Sequence, residues 1–419
     1  MEPNSNFLLV LLLLAAGGLI FAAIKFRLVL VKIASGLLAV VLSMTAGMAI
    51  VNDYYGYYQS WSQISADLSG SYASYNSKPV ANRTADEVVS GELTRITLAG
   101  AKSGIQRDGL LYLPPQYFQK AFAHTRFPVL ELFHGSPGQP TDWTVHMGLE
   151  HTLDRMIAQH LIGPMIVVMP AINGASFEDC VDAPGALDDT YLTQDVRTDI
   201  LRSYRASTVP AEWGVGGFSS GGYCAANLSL RHRATFGAAA IMDGYFRPTD
   251  GPAAGALGDN PAALAVNDPL DAARQLPVGA APLPSFWISV GTGDRADLAA
   301  AQAFAAALHG VEQVNLVREP GVGHNFNAWR AAVPPLLTWM WSQIADPALR
   351  VLFPVTGGVL HSTLLVGAVP PARHHGKAKR PGPTSIAKGA APIVAARATS
   401  SASLRPQTSP SRTASPLPR

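Results

Sequence analysis

Two long apolar stretches open the chain, and a different pattern follows them. Phe7 to Ile24 reads FLLVLLLLAAGGLIFAAI, eighteen residues without a charge, and Ile33 to Val51 reads IASGLLAVVLSMTAGMAIV, nineteen more. A helix needs about 20 apolar residues to cross the hydrocarbon core of a bilayer, so the pattern predicts two spans. Lys25, Arg27 and Lys32 lie in the short connection between them. The positive-inside rule places that connection in the cytoplasm and both ends of the hairpin outside. Tyr54, Tyr55, Tyr57, Tyr58 and Trp61 follow the second run, where an outer interfacial belt is expected. A signal peptide fits less well, because no Lys or Arg precedes the first run and a second run follows it. The expectation is a plasma-membrane protein with two spans and everything after about residue 55 extracytoplasmic.

Residues 61–90 are polar, rich in Ser, Ala and Asn, and read as a linker. From Gly91 the periodicity changes. Arg95–Leu98 and Leu110–Leu113 suggest a leading antiparallel pair. Buried-strand runs then alternate with helical stretches. The strands are expected at Phe127–Phe133, Met165–Met169, Trp213–Gly217, Ala238–Met242, Phe286–Val290 and Val314–Val317. Helices are expected at Leu149–Gln159, Leu192–Tyr204, Gly222–Arg231, Leu298–Leu308 and Trp329–Ile344. Such alternation predicts an α/β domain over 91–348, a mostly parallel, doubly wound sheet with helices on both faces. Val351–Val369 is apolar but interrupted by Pro354, Gly357, Gly358 and His361, which favours an interfacial or loosely packed segment over a third span. Residues 349–419 read as a low-complexity, basic and mostly disordered tail.

Composition sharpens this division. The chain has 419 residues, 48% hydrophobic and 14% charged, and this low charge argues against a wholly disordered protein. Its net charge of +2 describes no part of it. Residues 371–419 hold nine of the 31 basic side chains and no acid, which leaves 22 against all 29 acidic ones in the rest. The basic run His374–Arg380 could meet anionic lipid or cell-wall polymer, although a solvated tail is the plainer reading. Two cysteines are too few for a disulfide-framework mini-protein. There is no metal-ligand spacing, no Walker A sequence and no nucleotide-binding glycine pattern, so neither cofactor nor nucleic acid is expected. Asn82-Arg83-Thr84 and Asn227-Leu228-Ser229 match the short glycosylation sequon, a weak pattern.

The sharpest motif is Gly217-Phe218-Ser219-Ser220-Gly221, which matches G-x-S-x-G between a strand and a helix. A serine hydroxyl is a weak nucleophile that needs a neighbouring base, and this turn would lift the Ser219 hydroxyl above the sheet. The following helix start offers backbone N–H groups to a developing oxyanion, the N–H of Ser220 first. A second donor is expected from Gly135 or Ser136, in the loop that ends the strand at Phe133-His134. His134 itself reads as a structural loop residue. The base is expected to be His324, in Gly323-His324-Asn325-Phe326 after the last strand. The acid that holds its tautomer is expected at Asp294, in Gly291-Thr292-Gly293-Asp294. Asp243, which ends the preceding strand, and Asp297, three residues after Asp294, compete with it. Cys180 and Cys224 are either a disulfide bracing the floor of the site or two buried thiols.

These residues carry a resemblance. Phe133-His134-Gly135-Ser136-Pro137-Gly138 with Trp143, Thr190-Tyr191-Leu192-Thr193, Gly217 to Cys224, and Gly323-His324-Asn325-Phe326 with Trp329-Arg330 are similar to the esterase D / mycolyltransferase-type branch of the α/β-hydrolases, especially its membrane-anchored actinobacterial forms. The resemblance implies ester hydrolysis, or acyl transfer to a carbohydrate, through a serine acyl-enzyme. It also implies a glutamate as the acid, in the helix after the seventh strand. Leu298–Leu308 holds no carboxylate, which moves the expectation to Asp294 and away from mycolyl transfer. The expected activity is that of a serine carboxylesterase acting on a small-molecule or lipid ester. An acyltransferase using a cell-envelope carbohydrate is the alternative, and a catalytically silent binding module is the alternative of another class.

Overall fold

The middle of the sheet grows from short, mostly apolar runs that are buried on both faces. The structure, a computed structural model, describes residues 1–69, 90–174, 179–258, 260–277, 283–309, 311 and 313–355. Its eight main strands are β1 (Glu92–Ala99), β2 (Gln106–Leu113), β3 (Val129–Phe133), β4 (Ile166–Pro170), β5 (Trp213–Phe218), β6 (Ala238–Met242), β7 (Ser285–Gly291) and β8 (Val314–Glu319). They lie in the order β1-β2-β4-β3-β5-β6-β7-β8. β1 and β2 pair antiparallel, β2 meets β4 antiparallel, and every later pairing is parallel. Continuous apolar strands of this kind need cover on both faces, and helices supply it.

The helices are α1 (Asn6–Lys25), α2 (Val29–Tyr55), α3 (Trp61–Ser69), α4 (Leu149–Ala158), α5 (Val196–Ser203), α6 (Ser220–Arg231), α7 (Arg295–Ala307), α8 (Phe326–Ile344) and α9 (Pro347–Leu352), besides shorter turns. On one face of the sheet, residues of α5, α6 and α7 such as Ile200, Leu228 and Phe304 form one core with Val129, Val215 and Ile288. On the other, α4 and α8 pack Leu153, Leu337 and Trp341 against Leu130, Val167 and Ala240. Three short helices between Ala253 and Arg274, which the sequence pattern does not suggest, extend the first core through Leu257 and Leu270.

Two expectations about boundaries change. The stretch read as linker contains α3, because Trp61, Ile64 and Leu68 recur at helical spacing; its remainder, 70–89, lies outside the described residues. The tail boundary at 349 falls within α9; residues 356–419, and with them most of Val351–Val369, lie outside the described residues.

The helices α1 and α2 form an antiparallel hairpin, each long and apolar enough to cross a membrane. They exceed the expected spans because Lys25 ends the first and Lys32 lies inside the second. The two ends of the hairpin are tied together: Asn4 Nδ2 donates to Gln59 Oε1 (3.0 Å), and Trp61 Nε1 to the carbonyl of Met1 (2.6 Å). That end also bonds to the α/β domain. Gln63 Nε2 donates to the carbonyl of Val145 (2.7 Å), and Arg330 Nη2 to the carbonyl of Gly56 (3.1 Å). The Tyr57 ring packs on His146 and Phe326, with centroids 4.0 and 5.1 Å apart.

Candidate active site

Strand β5 ends at Phe218 and α6 begins at Ser220, so the whole reversal falls on Ser219. Its φ of 55° and ψ of −122° lie outside the regions that residues with a side chain ordinarily adopt. The glycines on either side make the reversal possible. A Cβ on Gly217 would sit 2.2 Å from the Gly221 carbonyl oxygen, and one on Gly221 would sit 2.3 Å from that of Phe133. Ser219 is held from behind by its own N–H, which donates to the carbonyl of Met242 (3.0 Å).

His324 reaches this serine from the loop between β8 and α8. Its Nε2 is 2.9 Å from Ser219 Oγ, and its Nδ1 is 2.8 Å from Asp297 Oδ2. If the Nδ1 proton donates to Asp297, Nε2 is left as the acceptor facing the serine. Burial of the ring works against the imidazolium. The Asp297 hydrogen bond and charge, with Asp243 and Asp294 nearby, outweigh it and raise the His324 pKa above the ordinary histidine value.

The expected partner of His324 was Asp294, and the structure gives that contact to Asp297 instead. Asp294 is the N-cap of α7; its Oδ1 accepts the N–H groups of Ala296 (2.9 Å) and Asp297 (3.1 Å). A capping carboxylate turns toward the helix's unpaired N–H groups. Asp297, in the first turn, is the one that points out to the histidine. Asp243 is also occupied elsewhere. Its two oxygens accept from the N–H of Gly291 (2.8 Å) and from Trp329 Nε1 (2.8 Å), and the Trp329 ring stands edge-on to His324 at 5.0 Å. Burial raises the Asp243 pKa, and it serves to place Trp329 and the end of β7.

The loop after β3 runs beside Ser219. A Cβ on Gly135 would lie 3.5 Å from Ser219 Cβ. His134 holds this loop: its Nε2 accepts the N–H of Ile172 (3.2 Å), so its Nδ1 donates to the carbonyl of Gly135 (2.7 Å). Full burial lowers the His134 pKa to about 4, which keeps the ring neutral in that bonding pattern. Gly135 thus lies beside Ser219 on one side, with Ser136 next in the same loop, and Ser220 follows Ser219 as the first residue of α6.

Cys180 and Cys224 are joined as a disulfide, with Cα atoms 5.5 Å apart. The bridge fastens the loop after β4 to the second turn of α6. It brings in a polar cluster that the sequence did not reveal. Asp179 accepts from Ser220 Oγ (3.1 Å) on one oxygen and from Tyr245 Oη (2.7 Å) on the other, and Tyr245 Oη lies 3.0 Å from Ser220 Oγ. The signal was present, because Asp179 precedes Cys180 and a bridge to Cys224 carries it to the start of α6. The sequon at Asn227 is buried in α6, where Asn227 Nδ2 donates to Asn267 Oδ1 (3.1 Å), so its side chain is not free to accept a glycan. Among the described residues, no group of three or more His, Cys, Asp or Glu side chains is arranged to hold a metal ion.

Residues 102–340 match the model of a family described as Putative esterase. The chain belongs to this esterase family. An uncharacterized protein of Corynebacterium glutamicum is 29% identical over 318 residues, covering 72% of this chain and 74% of that one. Among solved structures, a ferulic acid esterase aligns with a TM-score of 0.54 at 20% identity, over 61% of this chain and 99% of its own. A fluorophosphonate-binding serine hydrolase of Staphylococcus aureus aligns at 0.51 and 16% identity, over 60% and 99%. An S-formylglutathione hydrolase from Agrobacterium tumefaciens aligns at 0.50 and 17%, over 61% and 96%. At these identities the structures speak for the α/β-hydrolase fold, and the family match makes the protein an esterase-type enzyme.

The match begins at Lys102 and so leaves out the hairpin and β1. The matched residues include the Ser219 elbow and His324, while Tyr57 and Gln63, which contact the esterase domain, lie outside the match.

Proposed function

We propose that this esterase is a membrane-anchored, extracytoplasmic serine hydrolase that cleaves carboxylic esters with Ser219 as nucleophile, His324 as base and Asp297 as the acid. One observation carries the reading: His324 stands within hydrogen-bond reach of Ser219 on one nitrogen and Asp297 on the other. In this scheme Ser219 Oγ attacks the ester carbonyl and its proton passes to His324 Nε2. The N–H groups of Ser220 and of Gly135 or Ser136 hold the oxyanion. Collapse expels the alcohol, which takes its proton from His324. Water, deprotonated by the same nitrogen, then releases the acid and restores Ser219.

The anchor reading rests on the two apolar helices and on charge. Lys25, Arg27 and Lys32 cluster at one end of the hairpin, and the N-terminus and the esterase domain are bonded together at the other. A reporter fused after residue 60 should be active outside the cytoplasm; activity only inside would refute it.

Acyl transfer to a sugar is the second reading, and one observation favours it. Asp297 lies in the first turn of the helix after β7, the seventh strand, where the resemblance to mycolyltransferases implies the acid. The departure that argued against acyl transfer therefore narrows to an aspartate in place of a glutamate. A fluorophosphonate probe on the full-length protein, with Ser219→Ala as control, tests the nucleophile that both readings share. Absence of Ser219-dependent labelling in folded protein would sink both. With an acyl ester and a sugar acceptor, acylated sugar outpacing free acid would replace hydrolysis by transfer.

A further inference from the structure

Where the hairpin meets the esterase domain lies a half-open cavity of about 840 Å³, lined almost wholly by apolar side chains. Its walls come from three helices: Leu8 and Leu12 of α1, Met48 and Val51 of α2, and Ile64 and Leu68 of α3. That volume falls in the roughly 300–1,000 Å³ range of small-molecule sites. The helix α3 buries none of its residues; it turns Trp61, Ile64 and Leu68 to the cavity and leaves Leu68 86% exposed. An apolar stripe that stays partly exposed, set at an aromatic belt, suits the boundary between headgroups and acyl chains.

One wall is shared with the support of the active site. Tyr57 lines the cavity and packs on Phe326. Phe326 in turn packs on Phe218, which precedes Ser219, and on Trp329, which stands against His324 (5.7, 4.9 and 5.0 Å between successive ring centroids). The geometry points to this cavity as the seat of the acyl chain of a bilayer lipid ester that is the enzyme's substrate. The inference rests on the ester-hydrolase reading and names the substrate class for it. A lipid tail enters between α1, α2 and α3 from the leaflet on the esterase's side, which brings the lipid to the Tyr57–Phe326 wall that backs the support of Ser219. The hairpin is then part of substrate recognition as well as a tether.

Gly47 gives a clean test, because it lines the cavity and a Cβ there would meet nothing within 4 Å. Gly47→Phe and Thr45→Phe place a ring in the cavity, and neither residue belongs to the catalytic machinery. Gly18→Phe is the control, since Gly18 is equally unobstructed and does not line the cavity. The full-length enzyme in phosphatidylcholine vesicles is assayed with a methylumbelliferyl oleate ester carried in the bilayer and with the acetyl ester in solution. A diazirine-bearing phosphatidylcholine reports occupancy of the cavity directly by crosslinking.

The filled variants should lose at least about tenfold on the oleate ester, keep the acetate activity, and lose crosslinks to α2 and α3. The control should match the wild type. Unchanged oleate activity would overturn the inference, and so would parallel loss on both esters, or crosslinks to a second copy of the chain in place of lipid. If the wild type cleaved neither ester, the hydrolase reading would fail by itself. Crosslinks absent from α2 and α3 would then reject the cavity as an acyl site, and crosslinks abolished by Gly47→Phe would retain it.

Discussion

Asp294 and Asp297 share the first turn of α7, and the first aims the second: Asp294 Oδ1 accepts the N–H of Asp297 at 3.1 Å, while Asp297 Oδ2 lies 2.8 Å from His324. One carboxylate fixes the helix start and the next faces the imidazole. The two substitutions should therefore separate. Asp297→Asn keeps the shape but removes the charge that orients and stabilises the imidazolium, and kcat should fall by about 10³–10⁴. Asp294→Ala removes a cap, at a cost of about 1 kcal/mol in stability, with a much smaller fall in kcat. Steady-state kinetics and a denaturation curve on each variant check this. The reverse ranking would return the acid role to Asp294.

The pH profile follows from the same contact. His324 must be neutral to accept the serine proton, and its carboxylate neighbours hold its proton to higher pH than an ordinary histidine. The acid limb of kcat/KM should therefore have its midpoint above 6.5. In Asp297→Asn the hydrogen-bonded charge is gone, so the midpoint should move to lower pH even as the plateau falls. A limb that stays in place would show that Asp297 does not act on His324.

The Cys180–Cys224 bridge closes a segment with a sequence separation of 44 residues. Constraining the unfolded chain over such a length is worth about 2–4 kcal/mol. Cys224→Ser, or reduction of the wild type, should lower the denaturant midpoint accordingly. It should also reduce activity, because the loop carrying Asp179 loses its tie to α6 and Asp179 holds Ser220 beside the nucleophile. Unchanged kinetics in the folded variant would show that the polar cluster holds its place without the bridge.

Glu131 makes a prediction far from the chemistry of the site. It lies in the middle of β3, fully buried, and neither oxygen has a hydrogen-bond partner among the described residues. Burial pushes its carboxyl well above the usual range, with Arg197 pulling the other way. The folded protein thus keeps a proton that the unfolded chain releases. The associated stability is complete below the unfolded pKa and is lost as pH rises through the folded one. Glu131→Gln cannot ionise, so its stability should decline less than the wild type's as pH rises from about 5 to 8. Denaturant midpoints across that range measure it; equal slopes would clear Glu131 of the effect.

Periodicity located the strands because the inner ones are short apolar runs between turn residues, buried on both faces, while those toward the edges keep a shorter apolar stretch within a more polar strand. The Ser219 elbow was legible from its glycines: Gly217 answers to a local clash with Gly221, and Gly221 to the close approach of the end of β3 at Phe133. His324 was legible from its place after the last strand. The helix α3 was not, since nine residues with three apolar positions resemble a polar linker until the cavity shows what those positions face.

What the sequence by itself determined is everything set by neighbours along the chain: two apolar helices, the alternation that makes a parallel sheet, the nucleophile turn and the histidine loop. The tertiary structure decided what depends on direction. Asp294 and Asp297 differ by three positions and have the same side chain, and only the start of α7 determines which is spent on backbone N–H groups and which is free to meet a ring 27 residues ahead. The same holds for the hairpin, whose composition fits a membrane span but whose grip on Val145, His146 and Phe326 exists only once distant segments are folded together.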